Sequence, residues 1–360
     1  MQPHWDLFCR VIDNYGDIGV CWRLARQLKA EYGFAVRLWV DDPVALAILC
    51  PDFNPALPEQ VAEGVEVCHW ADPFPPADPA DVVIEAFACD LPETYLHAMA
   101  RCSRQPCWIN LEYLSAEPWV EDCHGLGSPH PGLPLMKYFF FPGFTARTGG
   151  LLREAGLFRE REGFAASQPS RDLIEVSLFC YDSAPVGELL DVWSSGEEAV
   201  RCHVPPGQPR AAVEHHLGHH GPSRIGNLEV VPAPFVPQPH FDRLLWQCDI
   251  NFVRGEDSFV RAQWAARPFV WHIYPQEDEA HMVKLDAFLA HYTARLPAPA
   301  ATAVTDLFHA WNRGHGLSAA WKAYAAQRTL LQRHGGQWAK ALAKQNDLAA
   351  SLVKFCSDKL

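Results

Sequence analysis

Two carboxylates four residues apart, Asp13 and Asp17, are the clearest chemical feature of this 360-residue chain. They lie in the segment Asp13-Asn14-Tyr15-Gly16-Asp17-Ile18-Gly19. A strand-like run over 5–12 precedes it, and a run over 20–32 with Val20, Leu24, Ala25 and Leu28 at helical spacing follows it. The pair therefore falls between the carboxyl end of a strand and the start of a helix, where open α/β sheets place ligands. In a turn eased by Gly16 and Gly19, both carboxylates can face one crevice, and glycine lets the backbone come close to a substrate. Such a pair can hold a cation by charge-assisted hydrogen bonds or take a proton. Asp17 is equally placed to cap the helix that follows. The G-x-G-x-x-G spacing of dinucleotide-binding turns is absent.

A second constellation is Val253-Arg254-Gly255-Glu256-Asp257-Ser258-Phe259-Val260-Arg261. It too closes a strand and opens a helix, over 258–266. Asp257 or Ser258 is placed to act as N-cap. The N–H groups of that first turn can hold a diphosphate, and Glu256 can accept from sugar or ribose hydroxyls. A plain capped helix with an Arg254–Glu256 surface pair accounts for the same residues. Leu178-Phe179-Cys180-Tyr181 ends another strand, where aromatics can stack on a nucleobase or simply fill core. The loops 110–115, 141–145 and 148–154 are polar and aromatic, suited to an acceptor, to a hinge or to ordinary packing. His215-His216-Leu217-Gly218-His219-His220, beside Glu214, matches no metal-ligand spacing and reads as a solvated loop.

The elements that must position these residues form two α/β series. Strands are expected at 5–12, 35–40, 65–68, 81–85, 105–110 and 138–141, then, after a linker over 143–169 with one helix, at 173–179, 199–204, 228–231, 248–253 and 269–273. The tail from 318 is helical. A chain of this length with 49% hydrophobic residues exceeds one ordinary core and suits about two domains. Two Rossmann-like halves suggest the GT-B glycosyltransferase architecture, although fold alone does not give function. The 12 cysteines are scattered through apolar segments with no C-x-x-C pair, as buried thiols of a reducing compartment would be. A net charge of −13 disfavours nucleic-acid binding. Without a signal-peptide pattern or an apolar run of membrane-spanning length, a cytoplasmic location without membrane association is expected.

Several long strings resemble one family, the elongation factor P arginine rhamnosyltransferases. They are residues 8–26, with Phe8-Cys9-Arg10-Val11-Ile12-Asp13-Asn14-Tyr15-Gly16-Asp17 at their head, Phe139-Phe140-Phe141-Pro142-Gly143-Phe144-Thr145, Thr148-Gly149-Gly150-Leu151-Leu152-Arg153-Glu154, and Asn251-Phe252-Val253-Arg254-Gly255-Glu256-Asp257-Ser258. The likeness runs over nearly the whole chain and is weakest over 207–227. It implies a GT-B fold, with an acceptor-binding domain over 1–155, a nucleotide-sugar domain over 165–335, and a last helix over about 340–360 packing back on the first. It implies inverting transfer of L-rhamnose from dTDP-β-L-rhamnose, without a metal or other cofactor, to a loop arginine of elongation factor P, which then helps ribosomes through polyproline stretches. By the same resemblance Asp13 and Asp17 match the catalytic aspartates. Phe179, Tyr181, Phe235, Gln238, Arg254, Glu256, Asp257 and Ser258 match the donor-binding positions.

The chemistry suits that assignment. A guanidinium has a pKa above about 12 and delocalised lone pairs, so it is a poor nucleophile. A carboxylate pair can hold it while one of them takes a proton. Asp17 is read as base and Asp13 as its orienting partner, with the reverse still open. A GT-B transferase acting on a small molecule or glycan, and a nucleotide-sugar-binding regulator without turnover, are the competing expectations.

Overall fold

Uninterrupted apolar runs such as Leu7-Phe8-Cys9 and Val82-Val83-Ile84 suit strands covered on both faces, and these runs form the centre of the first of two sheets. A computed structural model describes residues 3–13, 15–167 and 172–360. The chain divides into two units, Met1–Ala155 with Ala343–Leu360, and Gly156–Leu342.

The first unit runs β1 (His4–Cys9), α1 (Gly16–Tyr32), β2 (Ala35–Val40), α2 (Pro43–Leu49), β3 (Glu59–Ala62), β4 (Val65–His69), β5 (Val82–Ala86), α3 (Glu93–Arg101), β6 (Cys107–Leu111), α4 (Trp119–Cys123), β7 (Gly127–Pro129) and β8 (Met136–Phe140). Its sheet has the order β3-β4-β2-β1-β5-β6-β8-β7, parallel within and with one antiparallel strand at each edge. The chain winds outward from β1 through β2, then returns to place β5 on the other side of β1. The carboxyl end of β1 is therefore a topological switch point, where the crevice of an open α/β sheet lies. Helix α1 buries Ile18, Cys21, Trp22, Leu24, Ala25 and Leu28 against this sheet. It stops at Gly33, whose left-handed φ of 71° closes the last turn onto the Lys29 carbonyl.

Two expectations need correction here. The first strand stops at Cys9, not at 12, because side chains take the backbone N–H groups beyond it. Val11 donates to Asp41 Oδ1 (2.8 Å), and Ile12 and Asp13 donate to Asp17 Oδ2. Helix α1 begins at Gly16, four residues earlier than its apolar spacing suggests, so Gly16 and Gly19 are helical rather than turn glycines.

The second unit runs α5 (Leu157–Ala166), β9 (Ile174–Leu178), α6 (Val186–Ser195), β10 (Val200–Val204), α7 (Gln208–Leu217), β11 (Ser223–Ile225), β12 (Leu228–Pro232), α8 (Gln238–Gln247), β13 (Ile250–Arg254), α9 (Asp257–Ala265), β14 (Phe269–His272), α10 (Ala280–Thr293), α11 (Ala298–Arg313), α12 (Leu317–Ala325) and α13 (Arg328–Leu342). Its sheet order is β11-β12-β10-β9-β13-β14, parallel except for β11. It has the same logic as the first sheet: the chain winds from β9 through β10 and β12, then places β13 on the other side, so the switch point lies at the ends of β9 and β13. A buried bidentate pair, Arg261 with Asp242 (2.9 and 2.7 Å), ties α9 to α8.

The expected linker over 143–169 is mostly not a linker. Residues up to 155 belong to the first unit, with Leu151 and Leu152 buried; 168 and 169 lie outside the described residues. The final helix, α14 (Leu348–Ser357), belongs to the first unit and adds Leu348, Ala349, Leu352 and Cys356 to its core. His215 and His216 lie in α7, which Gly218 ends with a φ of 71°, so that half of the segment is helix, while His219 and His220 lie in an exposed loop. All twelve cysteines are free and ten are buried. Among the described residues no helix is long and apolar enough to cross a membrane.

Candidate active site

The loop after β1 is built around Asp17. Its carboxylate stands in the first turn of α1, yet it does not cap that helix: the N-cap is Tyr15, without a side-chain hydrogen bond. It reaches backward instead. Oδ2 accepts from the N–H groups of Ile12 and Asp13, both at 2.9 Å, and Oδ1 accepts from the Tyr113 hydroxyl at 3.4 Å. Asp17 is 3% exposed. Burial pushes its carboxyl above the ordinary range and the nearby Asp13 charge adds to this, against the pull of the two backbone bonds. Asp13 is half-buried, and its carbonyl accepts from the Gly16 N–H. A Cβ on Gly16 would lie 2.9 Å from Asp13 Oδ2, so glycine at 16 makes room for the second carboxylate. Asn14 of this loop lies outside the described residues.

Tyr113 is held by stacking on Phe87 (4.5 Å). Phe87, Ala88 and Asp90 all have positive φ, which is strained for residues with side chains. The strained turn is held by Asn110 Oδ1, accepting from Ala88 N–H, and by Glu85, accepting from Asp90 N–H. Asn110 also donates to Glu112 (2.6 Å). Through Tyr113 the loop 110–115 reaches Asp17.

The second constellation assembles around Arg254, at the end of β13 and only 9% exposed. Its guanidinium lies 4.4 Å from the Phe179 ring and 4.8 Å from the Tyr181 ring, and it donates to the Cys180 carbonyl (3.0 Å) and Gln208 Oε1 (2.6 Å). The surface pair with Glu256 is replaced by this buried sandwich. Neither Asp257 nor Ser258 caps α9. The N-cap is Glu256, whose side chain makes no cap hydrogen bond. Ser258 Oγ turns back to accept from Arg254 N–H (3.0 Å) and donate to its carbonyl. Gln238, buried at the start of α8, reaches Asp257 Oδ2 at 3.5 Å. Phe235 lies on the β12–α8 loop and is 40% exposed. The carboxylate pair therefore belongs to the first unit, after β1, and the eight donor candidates to the second: Phe179, Tyr181, Arg254, Glu256, Asp257 and Ser258 at the ends of β9 and β13, and Phe235 and Gln238 after β12.

Sequence reasoning missed Gln208, His272 and Tyr274. Gln208 opens α7 in the stretch where the family likeness is weakest. His272 and Tyr274 end and follow β14 and flank Tyr181 edge-on, each at 5.4 Å. The strand-end rule applied to β9 and β13 points to them as well. Among the described residues, one group of potential metal ligands lies close together: Glu59, Glu66 and Cys68 on the β3–β4 hairpin. Burial and the two acids push the Cys68 thiol pKa up to about 12.

A sequence profile for elongation factor P (EF-P) rhamnosyltransferase EarP matches residues 5–357. Proteins named protein-arginine rhamnosyltransferase from Pseudomonas putida and Neisseria meningitidis are 48% and 38% identical, the first over all of both chains and the second over 98% of this chain and 96% of its own. A solved structure concerned with EarP-mediated arginine glycosylation of translation elongation factor EF-P covers the whole of both chains at a TM-score of 0.70 and 36% identity. MurG of Acinetobacter baumannii, at 13% identity and a TM-score of 0.52, shares the fold alone.

Proposed function

The chain belongs to the EarP family of elongation factor P rhamnosyltransferases, and from that premise we propose that it transfers L-rhamnose from dTDP-β-L-rhamnose to one arginine with inversion at the anomeric carbon. It is a GT-B glycosyltransferase of the protein-arginine rhamnosyltransferase type, acting on arginine of EF-P. The donor, the stereochemistry and the residue roles are our reading.

The observation that carries the reading is the buried Asp17 beside Asp13. A paired carboxylate whose proton affinity burial has raised is suited both to hold a guanidinium and to accept its proton. Asp17 Oδ2 is committed to the loop, so Oδ1 takes the proton, and Asp13 orients the guanidinium. As a guanidine nitrogen bonds to the anomeric carbon, that carbon's bond to the β-phosphate oxygen breaks and the electron pair leaves with dTDP. Attack from the face opposite the leaving group turns the β donor into an α-linked product.

The donor half is assigned to Phe179, Tyr181, Phe235, Gln238, Arg254, Glu256, Asp257 and Ser258. The N-terminus of α9 and the Arg254 guanidinium meet the leaving diphosphate's charge, and the scheme calls for no metal. Glu256 and Asp257, being acids, suit sugar hydroxyls and not phosphate. Modified EF-P then acts in translation of polyproline stretches, in the cytoplasm.

The test is the intact mass of EF-P after incubation with this protein and dTDP-L-rhamnose. A gain of one deoxyhexose on a single arginine, with the α configuration by NMR, supports the reading. No gain despite donor binding overturns the acceptor assignment, and a retained β configuration overturns inversion.

A further inference from the structure

His272 ends β14 beside the donor half and is 1% exposed. Its Nδ1 accepts from the Tyr181 N–H at 3.2 Å, and its Nε2 lies 3.4 Å from Ser183 Oγ. An acceptor at Nδ1 places the single proton of a neutral imidazole on Nε2, toward the serine oxygen. A second proton would sit on Nδ1 and point at the Tyr181 N–H, donor against donor. The surroundings agree. Arg254 on β13 is the cation that faces it, with the His281 ring on α10 also near, Tyr181 presents a ring edge, and α11 contributes the neutral Trp311 ring at 5.9 Å. The His272 carbonyl also accepts from the Gly255 N–H (3.2 Å), so the residue is bonded to both strand ends that carry the donor candidates.

We propose that His272 is a positioning residue of the donor half, a permanently neutral imidazole that fixes the Tyr181 backbone and so sets the Phe179–Tyr181 sandwich around Arg254. It touches no reacting atom and transfers no proton. Its bond orients the turn 179–183 at the end of β9, and that turn supplies two aromatic faces and the Cys180 carbonyl to Arg254. Burial and Arg254 both disfavour the charged form and hold the ring's pKa down to about 3. The effect on donor binding rests on the donor assignment made above; the tautomer does not.

Two measurements test the proposal. Imidazole 15N spectra of the full-length protein should show His272 as the Nε2–H tautomer from pH 5 to 8 without titrating; a ring that titrates near 6.5, or the other tautomer, overturns it. His272→Asn keeps an acceptor for the Tyr181 N–H, whereas His272→Leu removes it. Losing one buried hydrogen-bond partner should raise the donor KM roughly tenfold in His272→Leu, with EF-P KM and kcat changed less than about threefold. His272→Asn should restore the donor KM. Equal donor KM in all three folded proteins, or no rescue by asparagine, overturns the role. If the wild-type protein itself failed to bind dTDP-L-rhamnose, the donor assignment would fall, and the spectra would still decide His272.

Discussion

Replacing Asp17 by asparagine separates its chemistry from its architecture. The carboxylate does two things: Oδ2 accepts from the Ile12 and Asp13 N–H groups, and Oδ1 faces the Tyr113 hydroxyl. In Asp17→Asn the amide oxygen can keep both loop bonds and the NH2 can donate to the Tyr113 oxygen, so the loop persists while the proton acceptor is gone. Removing a general base costs about 10²–10⁴ in rate, or roughly 3–5 kcal/mol in the barrier. Stability should move the other way. Burial raises the folded Asp17 pKa above its unfolded value, so the fold is favoured at low pH and loses stability as pH rises through the folded value. A neutral isostere escapes that loss and should melt no lower than the wild type at pH 7. Asp17→Ala should instead lower both activity and stability, because orphaned buried donors cost about 1–3 kcal/mol. The assay is single-turnover mass spectrometry of EF-P, with calorimetry of donor binding and thermal melts. A kcat of Asp17→Asn within threefold of wild type would refute the base assignment and transfer it to Asp13.

Three further outcomes follow from local geometry. Gly16→Ala puts a methyl 2.9 Å from Asp13 Oδ2 and should lower kcat roughly tenfold with little change in melting temperature, since small displacements of a reacting group are costly; unchanged kinetics would remove Asp13 from the site. Arg254→Lys keeps the charge but loses the planar fork that spans two rings, the Cys180 carbonyl and Gln208, so calorimetry should show donor Kd raised about tenfold. Asp242→Ala leaves Arg261 buried without its bidentate partner and should destabilise the second unit by about 3–5 kcal/mol in denaturant unfolding, with no dependence on substrate.

The turns after β1 and β13 were legible because both strands end abruptly in polar, glycine-bearing segments, 13–19 and 254–258. What those segments do locally was not. Gly16 and Gly19 look like turn formers, yet α1 includes both, because the space at Gly16 belongs to the Asp13 side chain and not to a turn. Asp17 and Ser258 look like caps, and each bonds backward instead. The residues that complete the donor half come from far along the chain: Gln208 lies 46 residues from Arg254 and His272 lies 91 from Tyr181. No periodicity links positions that far apart. For the same reason periodicity alone shows α14 only as a terminal helix; its packing back on the first domain is what the resemblance implied, and Leu348 and Leu352 do belong to the core around β1.

The two half-sites use one device for opposite charges. In each, a strand ends at a switch point, and a residue in the first turn of the next helix bonds back to the strand's exit, Asp17 to residues 12 and 13 and Ser258 to Arg254. The helix is thereby fastened to the loop, while its N-cap residue, Tyr15 or Glu256, makes no side-chain cap bond. In the first unit the fastener is itself an acid, so the loop that it builds attracts a cation. In the second the fastener is a neutral hydroxyl, which adds no charge beside a helix N-terminus that favours an anion. Glu256 and Asp257 bring two negative charges to that same turn. The proposed diphosphate site can therefore work only if Arg254 outweighs them at the phosphates. That requirement explains why a guanidinium is buried there between two rings, held by a carbonyl and an amide oxygen and not by a carboxylate that would cancel its charge.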